Sequence, residues 1–130
     1  MAKYNVNLKG RKIKDKFLYI PRPVFEHKDF ISLSARALKL LIDMAIQFTG
    51  YNNGDLCATI KLMKKRGWKS CDQLDKAKKE LLAKNLIQIT RYGGRKTPTL
   101  YALAWRHVDD CKGKLDMNST TKSLRNFKFE

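Results

Sequence analysis

Hydrogen-bonding side chains are grouped in the middle of this 130-residue chain. Ser70, Asp72 and Gln73 follow Lys69, and Lys76 comes one helical turn later. If the segment is helical, its exposed side presents a hydroxyl, a carboxylate, an amide and an ammonium group close together. These groups match the donors and acceptors on base edges, where glutamine suits adenine, lysine suits guanine and a carboxylate suits cytosine. The chemistry that these residues support is recognition of bases by hydrogen bonding.

A capping signal predicts that this segment is a helix. Ser70 and Gln73 match the capping box, in which a serine side chain accepts a bond from a backbone N–H and a glutamine side chain reciprocates. The pattern predicts a helix over 71–84, with Asn85 as its left-handed C-terminal residue. At about 100° per residue, an inner face of Leu74, Ala77, Lys78 and Leu81 opposes an outer face of Lys69, Asp72, Lys76, Lys79 and Ala83. The outer face is the candidate reading surface.

Two β-rich runs after this helix predict a hairpin. Residues 86–91 and 99–105 are rich in leucine, isoleucine, threonine and tyrosine, and Gly93 and Gly94 between them let the backbone turn. The loop is basic, which suits contact with a phosphate backbone. The candidate contacts at this hairpin are Arg91, Tyr92, Arg95 and Lys96.

The residues before the basic segment predict a scaffold. Pro21 and Pro23 predict an extended entry rather than a helix. A helix is then predicted from Ser34, its N-cap, to about Thr49 and Gly50. Its buried face is expected to consist of Leu38, Leu41, Ile42, Ala45 and Ile46, with Arg36, Lys39 and Asp43 elsewhere.

A shorter helix is predicted between this scaffold and the reading helix. Thr59 can cap its start and Gly67 can end it, after a very short strand over 56–58. Trp68 follows directly, where burial of its ring would fix the angle between two helices. The candidate phosphate contacts on this helix are Lys61, Lys64 and Lys65.

Positive charge is concentrated in two parts of the chain. Twenty-eight lysines and arginines against 12 acidic residues give a formal net charge of +16, which predicts binding to polyanions at low salt. Residues 1–16 carry +5 and residues 59–106 carry +10, whereas residues 17–58 are balanced. We expect a basic N-terminal arm over 1–16, one domain over 17–108 and a basic, flexible tail over 109–130. The candidate contacts in the arm are Lys9, Arg11, Lys12 and Lys14.

Other classes of function find little support in these residues. His27 and His107 do not lie beside a serine or cysteine motif for nucleophilic catalysis, so we expect no enzyme. The three cysteines form no C-x-x-C pair, and His107 and Cys111 lack a second pair at zinc spacing. We therefore expect neither a disulfide framework nor a metal or other cofactor. The absence of a long apolar run and of a secretory signal predicts a protein of the bacterial cytosol, associated with the nucleoid and not with a membrane.

Several stretches carry a resemblance to a known class of domain. They are LSARALKLL at 33–41, NGDL at 53–56, RGWKS at 66–70 and AKKELL at 77–82. With the order of predicted elements over 17–105, the chain resembles the winged helix-turn-helix domains of phage, plasmid and mobile-element proteins, including the phage replication protein O family. The resemblance implies an α+β fold with three helices and a C-terminal β-hairpin wing. It also implies that helix 71–84 holds operator or origin DNA in the major groove while wing 91–98 lies on the adjacent backbone.

Two functions follow as hypotheses. The first is a sequence-specific double-stranded DNA-binding protein that acts as a regulator or replication accessory of a phage or mobile element. The alternative is a winged-helix adaptor that binds RNA or a host protein or nucleoprotein complex, since such domains are reused for several tasks. A homodimer is left open, and a palindromic target would require reading helices about 34 Å apart.

Overall fold

The structure is a computed structural model that describes residues 16–130. It is an α+β fold with five α-helical segments and a three-stranded antiparallel sheet among those residues. The elements in chain order are α1 (Arg22–Phe25), α2 (Lys28–Ile31), α3 (Ala35–Ala45), β1 (Leu56–Cys57), α4 (Ile60–Met63), a 3₁₀ turn (Lys64–Arg66), α5 (Cys71–Ala83), β2 (Ile87–Arg91), β3 (Leu100–Leu103) and two further 3₁₀ turns (Cys111–Gly113 and Phe127–Phe129).

The prediction of an extended entry around the prolines is wrong. α1 begins directly after Pro21 and carries Pro23 in its first turn. The first N–H groups of a helix have no intrahelical acceptor, so a proline there loses nothing and its fixed φ suits the helix. α2 adds another single turn, in which Asp29 N donates to His27 Nδ1 at 3.0 Å. These two turns explain why the described chain has five helical segments instead of three.

The start of α3 is as predicted, but its end is earlier. Ala37 N donates to Ser34 Oγ at 3.2 Å, which confirms the N-cap. The helix ends at Ala45, after which Gln47 N and Phe48 N bond to Met44 O and Ala45 O in tighter turns. The Gln47 side chain then pairs with the edge of β1, its Nε2 donating to Cys57 O at 2.8 Å and its Oε1 accepting from Cys57 N at 3.0 Å.

The predicted buried face of α3 is rotated from the real one. Leu38 and Ile46 are 37% and 51% exposed, whereas Ala37, Leu40 and Met44 are fully buried. The buried residues Ala37, Leu40, Leu41, Met44 and Ala45 have the same helical spacing as the predicted set, one position earlier in the sequence. Asp43, placed outside on polarity alone, is only 3% exposed and lies on this buried face.

Asp43 joins α3 to the turn that precedes α5. Its carboxylate accepts hydrogen bonds from Lys39 Nζ at 2.7 Å, Arg66 Nε at 3.0 Å and Trp68 Nε1 at 2.8 Å. Burial alone would raise the pKa of Asp43, but the bonds from Lys39, Trp68 and Arg66 outweigh it and hold the pKa below its usual value. Trp68 is 6% exposed, so its expected place in the core is confirmed.

The local signals around α4 and α5 are confirmed. Leu62 N donates to Thr59 Oγ1 at 3.3 Å, and Gly67 ends the 3₁₀ turn with a φ of 95° that favours glycine. Gln73 N donates to Ser70 Oγ at 3.2 Å, which caps α5. At its other end, Asn85 has a φ of 54°. Of the predicted inward face of α5, Leu74, Ala77 and Leu81 are buried and Lys78 is half-buried.

The sheet places β3 between β1 and β2. Leu56 pairs with Tyr101, and Ile87 pairs with Leu103, both in antiparallel register. The register shifts between Ile89 and Arg91, where a bulge begins the approach to the hairpin loop. The predicted hairpin is therefore confirmed, together with the short strand β1 that extends its sheet.

Residues 109–130 lie against the helices and the hairpin. Phe127 is 6% exposed within the core cluster, and Arg125 Nη1 donates to Lys84 O at 2.7 Å. Asp116 N donates to Thr90 O at 2.9 Å. The division of the chain into arm, domain and flexible tail stays a prediction. None of the helices formed by residues 16–130 has the length and apolar character needed to cross a lipid bilayer.

Replacement of Asp43 by asparagine tests the role of this carboxylate. We expect Asp43→Asn to lower the free energy of unfolding by about 2–3 kcal/mol at pH 7, because the amide can no longer accept from all three donors. The folded-state pKa of Asp43 is lowered, so its contribution is complete above the unfolded pKa of about 3.9 and is lost as pH falls through the folded value. Urea unfolding at several pH values should therefore find that the wild-type advantage shrinks below about pH 4. An advantage that stays constant down to about pH 2 would contradict this account.

Candidate nucleic-acid interface

The outward face of α5 contains the polar residues selected from the sequence. Asp72, Gln73, Lys76 and Lys79 are all exposed, opposite the buried side of the same helix. Ser70 is half-buried, and its hydroxyl oxygen caps the helix by accepting from Gln73 N. The O–H hydrogen and a second lone pair of that oxygen stay available to another molecule.

The charged residues of α5 nearly balance, and some of them form ion pairs along the helix. Lys76 Nζ lies 3.2 Å from Asp72 Oδ2, and Lys78 Nζ lies 3.7 Å from Asp75 Oδ1. Over 71–84 the helix and its C-cap hold four lysines against three acidic residues, a balance of +1. Exposed pairs of this kind contribute little to stability, so Asp72 and Lys76 can exchange partners at low cost.

Arg36 reaches this face from α3 and is a residue that sequence reasoning missed. Its Nη1 donates to Gln73 Oε1 at 2.5 Å, across 37 positions of sequence. The sequence assigned Arg36 to the scaffold, and no local pattern links it to α5. Only the packing of α3 against α5 brings the two side chains together. As a result, Gln73 does not complete the reciprocal half of its capping box with its side-chain oxygen, which faces Arg36 instead.

Glu80 fixes how α3 and α5 meet. Its carboxylate accepts from Ser34 N at 2.7 Å and from Ser34 Oγ at 2.6 Å. Burial acts to raise the pKa of Glu80, but these two bonds outweigh it and lower the pKa. One acidic side chain of α5 thus satisfies the backbone N–H of the N-cap Ser34 and orients its capping hydroxyl. The contact holds the beginning of α3 beside the last turn of α5.

The turn before α5 supplies positive charge on its surface. Lys61, Lys64, Lys65 and Lys69 are exposed, as the sequence predicted. Arg66 differs, because its Nε is engaged by Asp43. The chain between Thr59 and Ser70 therefore carries four exposed lysines on a backbone that Asp43 and Trp68 hold in place.

The basic side chains of the hairpin loop, residues 92–99, and of Arg91 just before it have two different roles. Arg95 and Lys96 are exposed, and Tyr92 is 75% exposed. Arg91 is half-buried and its Nη2 donates to Pro98 O at 3.0 Å, so this guanidinium braces the loop. The base of the loop is also tied to the end of the chain, because Tyr92 N donates to Asp116 Oδ2 at 3.1 Å.

The remaining predicted features are placed as follows. The arm residues Lys9, Arg11, Lys12 and Lys14 lie outside the described residues. Within residues 16–130, no group of three or more His, Cys, Asp or Glu side chains is arranged to hold a metal ion. The three cysteines, all in that part of the chain, are free thiols. The prediction that the chain is not an enzyme stays a prediction.

Comparison with known proteins gives no family to which the chain can be assigned. Neither the protein-family models, nor the curated proteins, nor the solved structures contain a match to it.

The two glycines of the hairpin loop offer a matched pair of variants. A Cβ on Gly93 would meet backbone atoms of Thr99, Thr97 and Pro98 at 2.5, 2.6 and 2.7 Å, whereas a Cβ on Gly94 would meet only Thr97 Oγ1 at 3.8 Å. We expect Gly93→Ala to lower the free energy of unfolding by about 1–3 kcal/mol, because backbone atoms must move apart. Gly94→Ala should change it by less than about 0.5 kcal/mol. Urea titration measures both, and equal effects would show that the close approach at Gly93 does not form.

Proposed function

We propose that this chain is a sequence-specific double-stranded DNA-binding protein with a winged helix-turn-helix domain. It acts in the bacterial cytosol as a regulator or replication accessory of a phage or other mobile element. In this proposal α3, α4 and α5 are the three helices of the domain, and β2, β3 and their loop are the wing. The order of these elements supports it, as does the short strand β1 paired to β3.

The separation of charge from hydrogen-bonding capacity is the observation that carries the proposal. α5 is nearly neutral and offers an amide, a carboxylate and ammonium groups on one exposed face. The segments on either side of it in the sequence are strongly basic, with exposed lysines at 61–69 and exposed Arg95 and Lys96 in the loop. Contacts to phosphates position a protein on a duplex, whereas contacts to base edges read the sequence. A protein that bound any polyanion would need only the basic segments.

The dimensions of DNA assign a role to each part. An α-helix fits the major groove, so α5 presents Asp72, Gln73 and Lys76 to base edges. The wing and the turn before α5 contact the phosphate backbone. The residues proposed for those contacts are Lys61, Lys64, Lys65, Lys69, Lys79, Arg95 and Lys96. Arg91 supports the wing from inside, and Tyr92 stays a candidate contact at its exposed base.

Salt dependence and competition test the proposal. Duplexes selected by the full chain from a random pool should outcompete random duplex and RNA of equal length. For the selected duplex the slope of log K against log salt should be roughly −5, because about six phosphates are neutralised. Equal competition by random duplex would contradict sequence-specific binding. Stronger competition by RNA would favour the adaptor hypothesis.

Single substitutions in the wing should separate positioning from reading. Arg95→Ala removes one phosphate contact, so we expect affinity to fall by a similar factor for selected and random duplexes and the salt slope to weaken by about one. Lys122→Ala removes the same charge from an exposed tail position that has no proposed contact. Fluorescence anisotropy at several salt concentrations measures both variants. If Lys122→Ala weakens binding as much as Arg95→Ala, the positive wing is not a specific contact surface.

A further inference from the structure

The hydrogen bond between Arg36 and Gln73 determines which atom of the Gln73 amide faces the guanidinium. A guanidinium has five N–H donors and no acceptor. The contact between Arg36 Nη1 and Gln73 Oε1 at 2.5 Å is therefore possible only with the oxygen of the amide turned toward Arg36. The amide nitrogen of Gln73, the remaining N–H groups of Arg36 and one lone pair of Gln73 Oε1 are left for another molecule. The pair therefore presents mostly donors.

We propose that Arg36 and Gln73 together form a donor-rich element that selects guanine in the target duplex. This inference rests on the proposed DNA binding and names a base that the site prefers. Guanine offers two acceptors in the major groove, N7 and O6, whereas adenine offers one acceptor and one donor. A glutamine reads adenine when its oxygen accepts from the adenine amino group. Here Arg36 uses one of the two lone pairs of that oxygen and places its other N–H donors beside it. Those donors face unfavourably the amino donor of adenine and favourably the O6 acceptor of guanine, so guanine is the better-suited base.

The position of Arg36 is set by a separate contact. Glu80 binds both the backbone N and the hydroxyl of Ser34, which fixes the first turn of α3 against α5. Arg36 lies two residues further along that turn and is exposed, as is Gln73 in the first turn of α5. The N-terminal part of a recognition helix is the part that approaches base edges. The guanidinium is thus held at the edge of the reading face while most of its donors stay open to solvent.

Base analogues in the selected duplex test this assignment. Each guanine in turn is replaced by 7-deazaguanine, which keeps Watson–Crick pairing but removes the N7 acceptor. We expect one position at which this change lowers the affinity of the wild-type protein about tenfold, the effect of a lost base contact. In Arg36→Met the same replacement should have less than about twofold effect, because the donor pair no longer exists. Arg95→Ala is the control, and it should keep the full tenfold sensitivity.

A repeated selection with Arg36→Met gives a second, independent readout. Without Arg36, no guanidinium donors stand beside Gln73 Oε1 to oppose an adenine amino group, so the preferred base at the sensitive position should change from guanine to adenine. Arg36→Lys, which keeps the charge but lacks the planar fork, should lose the guanine preference without lowering the salt slope. A purely structural role for Arg36 would lower affinity for all duplexes equally and leave the preferred base unchanged.

The results can overturn the guanine assignment separately from the proposed DNA-binding function. If no duplex is preferred over random DNA, the proposed sequence-specific function fails. If a duplex is selected but 7-deazaguanine has no effect at any position, the guanine assignment alone is overturned. The same conclusion follows if Arg36→Met keeps the wild-type sensitivity and base preference.

Discussion

The buried carboxylate of Asp43 constrains the arrangement of every helix that forms the proposed interface. A charge taken from water is costly unless it is paired and hydrogen-bonded, so the fold must bring donors to it. Three donors meet there, from α3 itself, from the 3₁₀ turn and from the indole of Trp68. Because Trp68 stands two residues before the N-cap Ser70, its bond to Asp43 also fixes where α5 begins.

Glu80 supplies the second fixed point between the same helices. Asp43 anchors the residues before α5 to the last turn of α3, and Glu80 anchors the last turn of α5 to the start of α3. Two polar contacts at different places determine an angle as well as a distance. The apolar residues Leu74, Ala77 and Leu81 fill the space between the helices. The outward side of α5 is thereby a fixed surface, which is what recognition by hydrogen bonds requires.

The sequence could predict those parts of the fold that depend on local signals. The caps at Ser34, Thr59 and Ser70, the left-handed Asn85 and the hairpin all rest on interactions within a few residues. The buried face of α3 was placed wrongly because two sets of apolar residues, one position apart, share the same helical spacing, and the observed set also buries Asp43. The helix around Pro23 was missed because proline was treated as a breaker, although a first turn accepts it.

The same distinction applies to the candidate site. Exposure of the lysines and of Gln73 follows from helical periodicity, so the outward face of α5 was predictable. The partner of Gln73 was not, because Arg36 lies 37 positions away and acts through tertiary packing. Arg91 stays a predicted phosphate contact, but its half-buried guanidinium also donates from Nη2 to Pro98 O within its own hairpin, which composition does not reveal. A count of charge along the sequence does not show which cationic side chains bond within the protein and which stay exposed to a ligand.

The central claim, that the outward face of α5 and the neighbouring loop form one DNA-binding surface, is tested most directly by nuclear magnetic resonance. A selected duplex is titrated into the ¹⁵N-labelled full chain, and changes in amide chemical shift are mapped onto the residues. The account predicts that the largest changes occur in residues 69–79 and 92–98, with small changes in α1 and α2. Large changes confined to α1, α2 or the C-terminal residues, with α5 unaffected, would contradict it.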